Sequence, residues 1–205
     1  MAAEVLNSTV VLRLSICAEP NICASISPPS QSPNPLAASI TRQSKDDMNK
    51  RNDYIQDKWK KGLLPGIDCI LFGNGEVITA NTHCLTDTNT KKSKQFWFPL
   101  CDTTITSLEK YEDDIWTNIE IFHGAINYGE QKIVFGDGSM GNEGFVASTN
   151  KKGDLIWGIF FTFSNPIFNA KIINNELICV SELEIEIKIE LNNLTKISIE
   201  NKSMY

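Results

Sequence analysis

The chain has 205 residues, a length that suits one domain with an appended segment. Apolar residues make up 41% of it, which separates it from chains too polar to form a core. A net charge of −6 argues against nucleic acid, whose phosphates need clustered lysine and arginine, and no apolar run approaches the ~18 residues of a membrane span.

The chain opens on "STVVLRLSICAEP", an apolar patch interrupted by Arg13 and preceded by Glu4. A secretory signal places positive charge first and leaves its apolar centre unbroken, so the expected location is the cytoplasm. There the six cysteines (Cys17, Cys23, Cys69, Cys84, Cys101 and Cys179) stay reduced. Four prolines fall between Pro28 and Pro35 among serines, and proline removes backbone donors. Residues 1–43 are therefore read as a disordered or non-native extension, and 44–205 as one β-rich domain with an N-terminal helix. "MNKRNDYIQDKW" from Met48 would itself make a natural protein start.

"SKDDMNKRNDYIQDKWKK" predicts a helix over 44–61. Ser44 can cap it, Asp46 and Asp47 suit its positive end, and Met48, Ile55 and Trp59 fall near one face. "IDCILFGNGEVITAN" is a hairpin around Gly73-Asn74-Gly75. "KQFWFPL" is a strand ended by Pro99. Leu108, Tyr111, Ile115 and Trp116 stand at helical spacing, so a second helix is expected over 106–116. "IEIFHGAI" and "QKIVFG" form a strand pair around Asn127-Tyr128-Gly129. "GFVAST" and "DLIWGIFF" flank Asn150–Gly153, and "AKII" and "ELICV" flank Asn174-Asn175. Finally Leu183, Ile185, Ile187, Ile189 and Leu191 alternate with Glu182, Glu184, Glu186, Lys188 and Glu190, which marks a strand with one face in water. The expected fold class is mainly β (α+β): an antiparallel sheet of hairpins, curled or two-layered, with one or two flanking helices.

"GDGSMGNEG" contains G-x-G-x-x-G at Gly136, Gly138 and Gly141. A dinucleotide site needs a helix to open from that turn, because helix amides hold the pyrophosphate. "GFVAST" reads as a strand instead, so the glycines are assigned to a turned crossing and no cofactor is expected. Asp137, Ser139, Asn142 and Glu143 do not match a calcium loop. His83 and Cys84 are adjacent, and strand neighbours face opposite sides, so no zinc site is expected.

Three function classes remain, one of them a purely structural or surface protein, which secretion of the chain would favour. A small Cys-dependent hydrolase would use Cys84 with His123. A non-enzymatic protein-binding module would use its acids, Glu182, Glu184, Glu186 and Glu190 on the strand and Glu112, Asp113 and Asp114 on the second helix, to meet a protein with a basic surface. From Gly136 to Leu191 the chain resembles small bacterial β-rich proteins of the immunity type from polymorphic and contact-dependent toxin systems. The matching elements are the glycine turn before "GFVA", then "KKGDLIW", "SNP" at Ser164–Pro166 and "NNELICVSEL". The resemblance covers about a quarter of the chain. It implies a cytosolic protein that binds and blocks a toxin domain, and it carries over no site residues.

Overall fold

The computed structural model describes residues 35–86, 93–122, 124–182 and 184–201, with side chains over 47–85, 95–122, 124–182 and 184–200. The expected mainly β, antiparallel architecture with two helices is found. Helix α1 (Pro35–Lys60) is followed by β1 (Leu63–Pro65), β2 (Cys69–Phe72), β3 (Glu76–Thr86) and β4 (Ser93–Thr104). Then come α2 (Ile105–Leu108), β5 (Trp116–Ile121), β6 (Ile126–Tyr128), β7 (Gln131–Gly138), β8 (Gly144–Thr149) and β9 (Leu155–Phe161). A last group comprises β10 (Ile167–Ile173), β11 (Glu176–Ser181), β12 (Ile185–Glu190) and β13 (Ile197–Asn201).

The first nine strands form one sheet in the order β1-β5-β7-β8-β9-β2-β3-β4, with β6 also paired to β7. The last four form a meander, β10-β11-β12-β13. The meander packs against one face of the large sheet, where Ile70, Phe135, Val146, Trp157 and Ile159 meet Leu177, Cys179, Ile187 and Ile199. Helix α1 covers the other face, where Ile55 and Trp59 meet Leu71, Phe145, Ala147, Leu155 and Phe160. The domain is thus three layers with two cores. Phe145 and Val146 are neighbours in β8 and enter opposite cores, so "GFVAST" is buried at every position. A strand covered on both faces reads as a continuous apolar run, as this one does. The large sheet also curls, so that Leu64 of β1 lies against Gly158 of β9.

Five sequence expectations need correction. Helix α1 begins at Pro35 rather than at Ser44, within the span assigned to the extension. Met48 is half exposed, so the buried stripe consists of Ile55, Gln56 and Trp59. Strand β4 runs through Pro99: it is the edge of its sheet, where a missing N–H is tolerated. The register shifts there, with Thr79 opposite Cys101 and Ala80 opposite Pro99, which leaves Leu100 as an extra residue. The second helix is only Ile105–Leu108, capped by Thr104 Oγ1 on the Ser107 amide at 3.3 Å. Trp116 opens β5 because it pairs with Pro65. The long final strand begins at Ile185: Glu182 lies in a turn, Glu184 adopts φ +57°, and Leu183 falls outside the described residues. The three hairpins around Gly73–Gly75, Asn150–Gly153 and Asn174-Asn175 form as expected.

What fixes α1 to the sheet is polar. Gln56 Nε2 donates to the Leu155 carbonyl at 3.0 Å, and its Oε1 accepts from the Leu155 amide at 2.7 Å. The side-chain amide thereby takes the place of a neighbouring strand at the first residue of β9. Trp59 Nε1 donates to the Gly153 carbonyl at 3.0 Å. Further along, Lys58 Nζ lies over the rings of Tyr54 and Trp116, and both rings hydrogen-bond Glu109 Oε1. Burial, then the Glu109 bond, push the Tyr54 phenol up to about 12.

Gln56→Ala would leave both buried backbone groups of Leu155 without this partner. The expected loss is about 2–4 kcal/mol of stability by urea denaturation, since each orphaned group costs ~1–3 kcal/mol. Asn52→Ala, on the exposed side of the helix, should stay within roughly 0.5 kcal/mol of wild type. Similar losses in both variants would contradict the clamp.

Candidate functional site

The glycine stretch is answered by its neighbours. Strand β8, not a helix, follows it from Gly144, so no row of helix amides faces the turn. Gly136 lies opposite Ile121 where β7 pairs with β5. A Cβ there would overlap the Glu120 carbonyl oxygen, so only glycine fits. Gly141 adopts φ +76° at the tip of the turn, with open space around it.

The seven candidate acids do not share one face. Glu182 and Glu184 are exposed at the turn before β12. Glu186 is buried, and Lys188 Nζ lies 3.4 Å from its Oε1 and 3.0 Å from Glu200 Oε1. The bond to Glu200, then that to Glu186, hold the Lys188 ammonium above its ordinary value. Lys196 pairs with Glu190 at 3.0 Å. The alternating acids of β12 are therefore largely neutralised by lysines of the same meander. Glu112, Asp113 and Asp114 are exposed in the turn after α2. Glu112 and Asp114 line a cleft of about 410 Å³ with Glu143, which is buried and whose Oε2 accepts from the Met140 amide at 3.1 Å. Asp113 is not among its lining residues. Among the described residues no cluster of His, Cys, Asp and Glu is arranged to hold a metal.

For the hydrolase reading, Cys84 is exposed on β3 opposite Gln95, and His123 lies outside the described residues. Cys101 is also exposed, with its Sγ 3.2 Å from Thr79 Oγ1. Cys69 and Cys179 are buried in the two cores. Burial pushes the Cys179 thiol up to about 12, and burial beside Asp68 pushes that of Cys69 up further.

A surface that the acids did not point to stands out on β3 and β4. Asp68 anchors its base: its Oδ2 accepts from Thr82 Oγ1 at 3.0 Å, and its Oδ1 accepts from the Thr162 amide at 2.8 Å. Beyond that point the two strands form a ribbon at the sheet's edge. On one face Trp97 turns into the core with Ile199. On the other, Phe96 and Phe98 follow one another along β4, with His83 opposite Phe96, Asn81 opposite Phe98 and Leu85 further along β3; Leu100, the extra residue at the register shift, adjoins them along the strand. Leu85 is 54% exposed, Phe98 40% and Leu100 59%. Scattered exposed leucines are ordinary, whereas adjoining exposed apolar side chains on one ribbon make a candidate interaction surface. The run "KQFWFPL" reads only as a strand. Its period of two could not tell which face would meet water.

Two outcomes are expected here. Gly136→Ala should cost roughly 3 kcal/mol through the clash, and Gly141→Ala about 1 kcal/mol through its left-handed backbone; equal costs in urea denaturation would contradict the packing role. The buried thiols of Cys69 and Cys179 hold their protons more tightly folded than unfolded. Their contribution is complete below the ordinary thiol value of 9.0 and is lost as pH rises toward 12. The urea midpoint should therefore fall from pH 8 to pH 11, and less steeply in Cys179→Ala; an equal fall in the variant would remove the thiol as cause. Compared with known protein families, curated proteins and solved structures, the chain finds no match in any of the three.

Proposed function

We propose that this chain is a non-enzymatic protein-binding module that docks a partner on the outer face of the β3–β4 ribbon. The observation that carries the reading is the exposure of Leu85, Phe98 and Leu100 on an anchored edge ribbon. Aromatic and leucine side chains held in place by a sheet present contact area at low entropic cost. The described residues of that face carry no acid, so the contact itself is apolar. The partner has a basic rim, drawn in by the chain's net charge of −6 and by the exposed acids Glu112, Asp113 and Asp114.

The immunity role is the specific form of this reading that the resemblance over 136–191 implies. Those residues are mostly core strands and hairpins, so they bear on the scaffold rather than on the contact surface. The proposed setting is the cytoplasm, in keeping with the free thiols of Cys69, Cys84, Cys101 and Cys179. No helix among the described residues is long and apolar enough to cross a membrane.

The wild-type chain and a Phe98→Asp/Leu100→Asp variant, used as parallel baits, test the reading. The expected outcome is a stoichiometric partner held by wild type and weakened by roughly 2 kcal/mol or more in the variant, the size of an interface hot spot. Its association should slow as salt rises. A partner bound equally by both baits would move the interface elsewhere, and capture by neither would remove the binding-module reading.

A further inference from the structure

The acids beside the last turn of α1 and the β8–β9 turn each have a lysine. Glu130 pairs with Lys151, Asp154 lies 3.6 Å from Lys60, and Asp57 lies 2.7 Å from Lys61. Lys132 and Lys152 have no ion-pair partner among the described residues and are exposed. They are surplus cations on a chain whose net charge is −6.

Both line one groove of about 540 Å³, between the β6–β7 turn and the β8–β9 turn. Its apolar residues are Trp59, Val134 and Ile121, and Ile121 is 49% exposed. Trp59 and Val134 are each 8% exposed and the indole N–H of Trp59 already serves the Gly153 carbonyl, so these two contribute apolar edges to the groove floor and no donor. Concave sites of ~300–1,000 Å³ with apolar walls and a few charged groups take small molecules. An apolar wall with two unpaired ammonium groups at its side matches a ligand with an apolar body and an anionic head.

We propose that this groove binds a small amphipathic organic anion. Its apolar body lies on Ile121 and on the exposed edges of Trp59 and Val134, and its anionic head meets Lys132 and Lys152. The chain's overall negative charge repels such a ligand at long range. Within a Debye length of ~10 Å the two unpaired lysines dominate. This site lies apart from the β3–β4 ribbon and does not depend on the protein-binding reading.

The probe is 8-anilinonaphthalene-1-sulfonate, titrated by fluorescence into the full chain. Three proteins are compared: wild type, Lys132→Glu/Lys152→Glu, and the ribbon variant Leu85→Asp/Phe98→Asp/Leu100→Asp. The expected result is one saturable site, weakened at least about tenfold by the charge reversal and by raised salt, and unchanged in the ribbon variant. Uncharged N-phenyl-1-naphthylamine should bind more weakly than the sulfonate. Should the glutamate pair fail to fold, Lys132→Met/Lys152→Met replaces it under the same criterion. Amide shifts at Lys132, Lys152 and Gly153 on adding the sulfonate to wild type give an independent readout. Unsaturable binding, equal affinity in the lysine variant, loss only in the ribbon variant, or no shift at those amides would each overturn the proposal.

Discussion

Two strands at the centre of the large sheet are buried on both faces, and the rest of the architecture answers that requirement. Phe145, Ala147 and Phe160 need cover on one side of β8 and β9, while Val146, Ile159 and Phe161 need it on the other. A sheet packed on one side alone would leave a full face of apolar surface in water, at about 25 cal/mol per Å². The meander β10–β13 supplies one cover and α1 the other. They come from opposite ends of the chain, so the domain closes only when both ends have docked. Gln56 gives the helix cover a fixed position, because its amide must satisfy both backbone groups of Leu155. Apolar packing alone would let the helix slide.

The proposed docking surface lies where that cover ends. The meander reaches Trp97, which lies in the same core as Ile199. On the β3–β4 ribbon, by contrast, Leu85, Phe98 and Leu100 meet solvent. Charge is distributed separately. The acids of β12 are held by Lys188 and Lys196, whereas those after α2 stay exposed and two of them converge with Glu143. Near the end of α1 the balance reverses and lysines exceed acids. The apolar ribbon, the acidic cleft and the cationic groove are thus three regions of different chemistry on one scaffold.

Much of the scaffold was legible because turns and strand patterns are local. Asn174 and Asn175 both adopt positive φ, as a two-residue hairpin turn requires, and asparagine tolerates that conformation. Alternation from Ile185 to Ile189 fixed the inward face of β12. What could not be read depended on distant partners. Leu108, Tyr111, Ile115 and Trp116 have helical spacing, but Tyr111 is almost fully exposed and Trp116 is claimed by Pro65, some fifty residues earlier. Pro99 looked like a strand end because nothing in its vicinity says that β4 is an edge. The acidic row looked free because Glu200, which shares Lys188, arrives from the next strand. Gln56 gave no signal, since a glutamine on a helix face reads as solvent-facing. The ribbon's exposure was illegible for the same reason: it is set by what fails to pack over Leu85, Phe98 and Leu100.

Native-state hydrogen exchange on the full chain tests the double cover most directly. If β8 and β9 are sealed from both sides, amides 144–149 and 155–161 exchange only through global unfolding, and their rates follow denaturant with the full dependence of that transition. Exchange of those amides through a low-energy local opening, with the meander still protected, would show that α1 lifts away independently and that the two cores do not close as one unit.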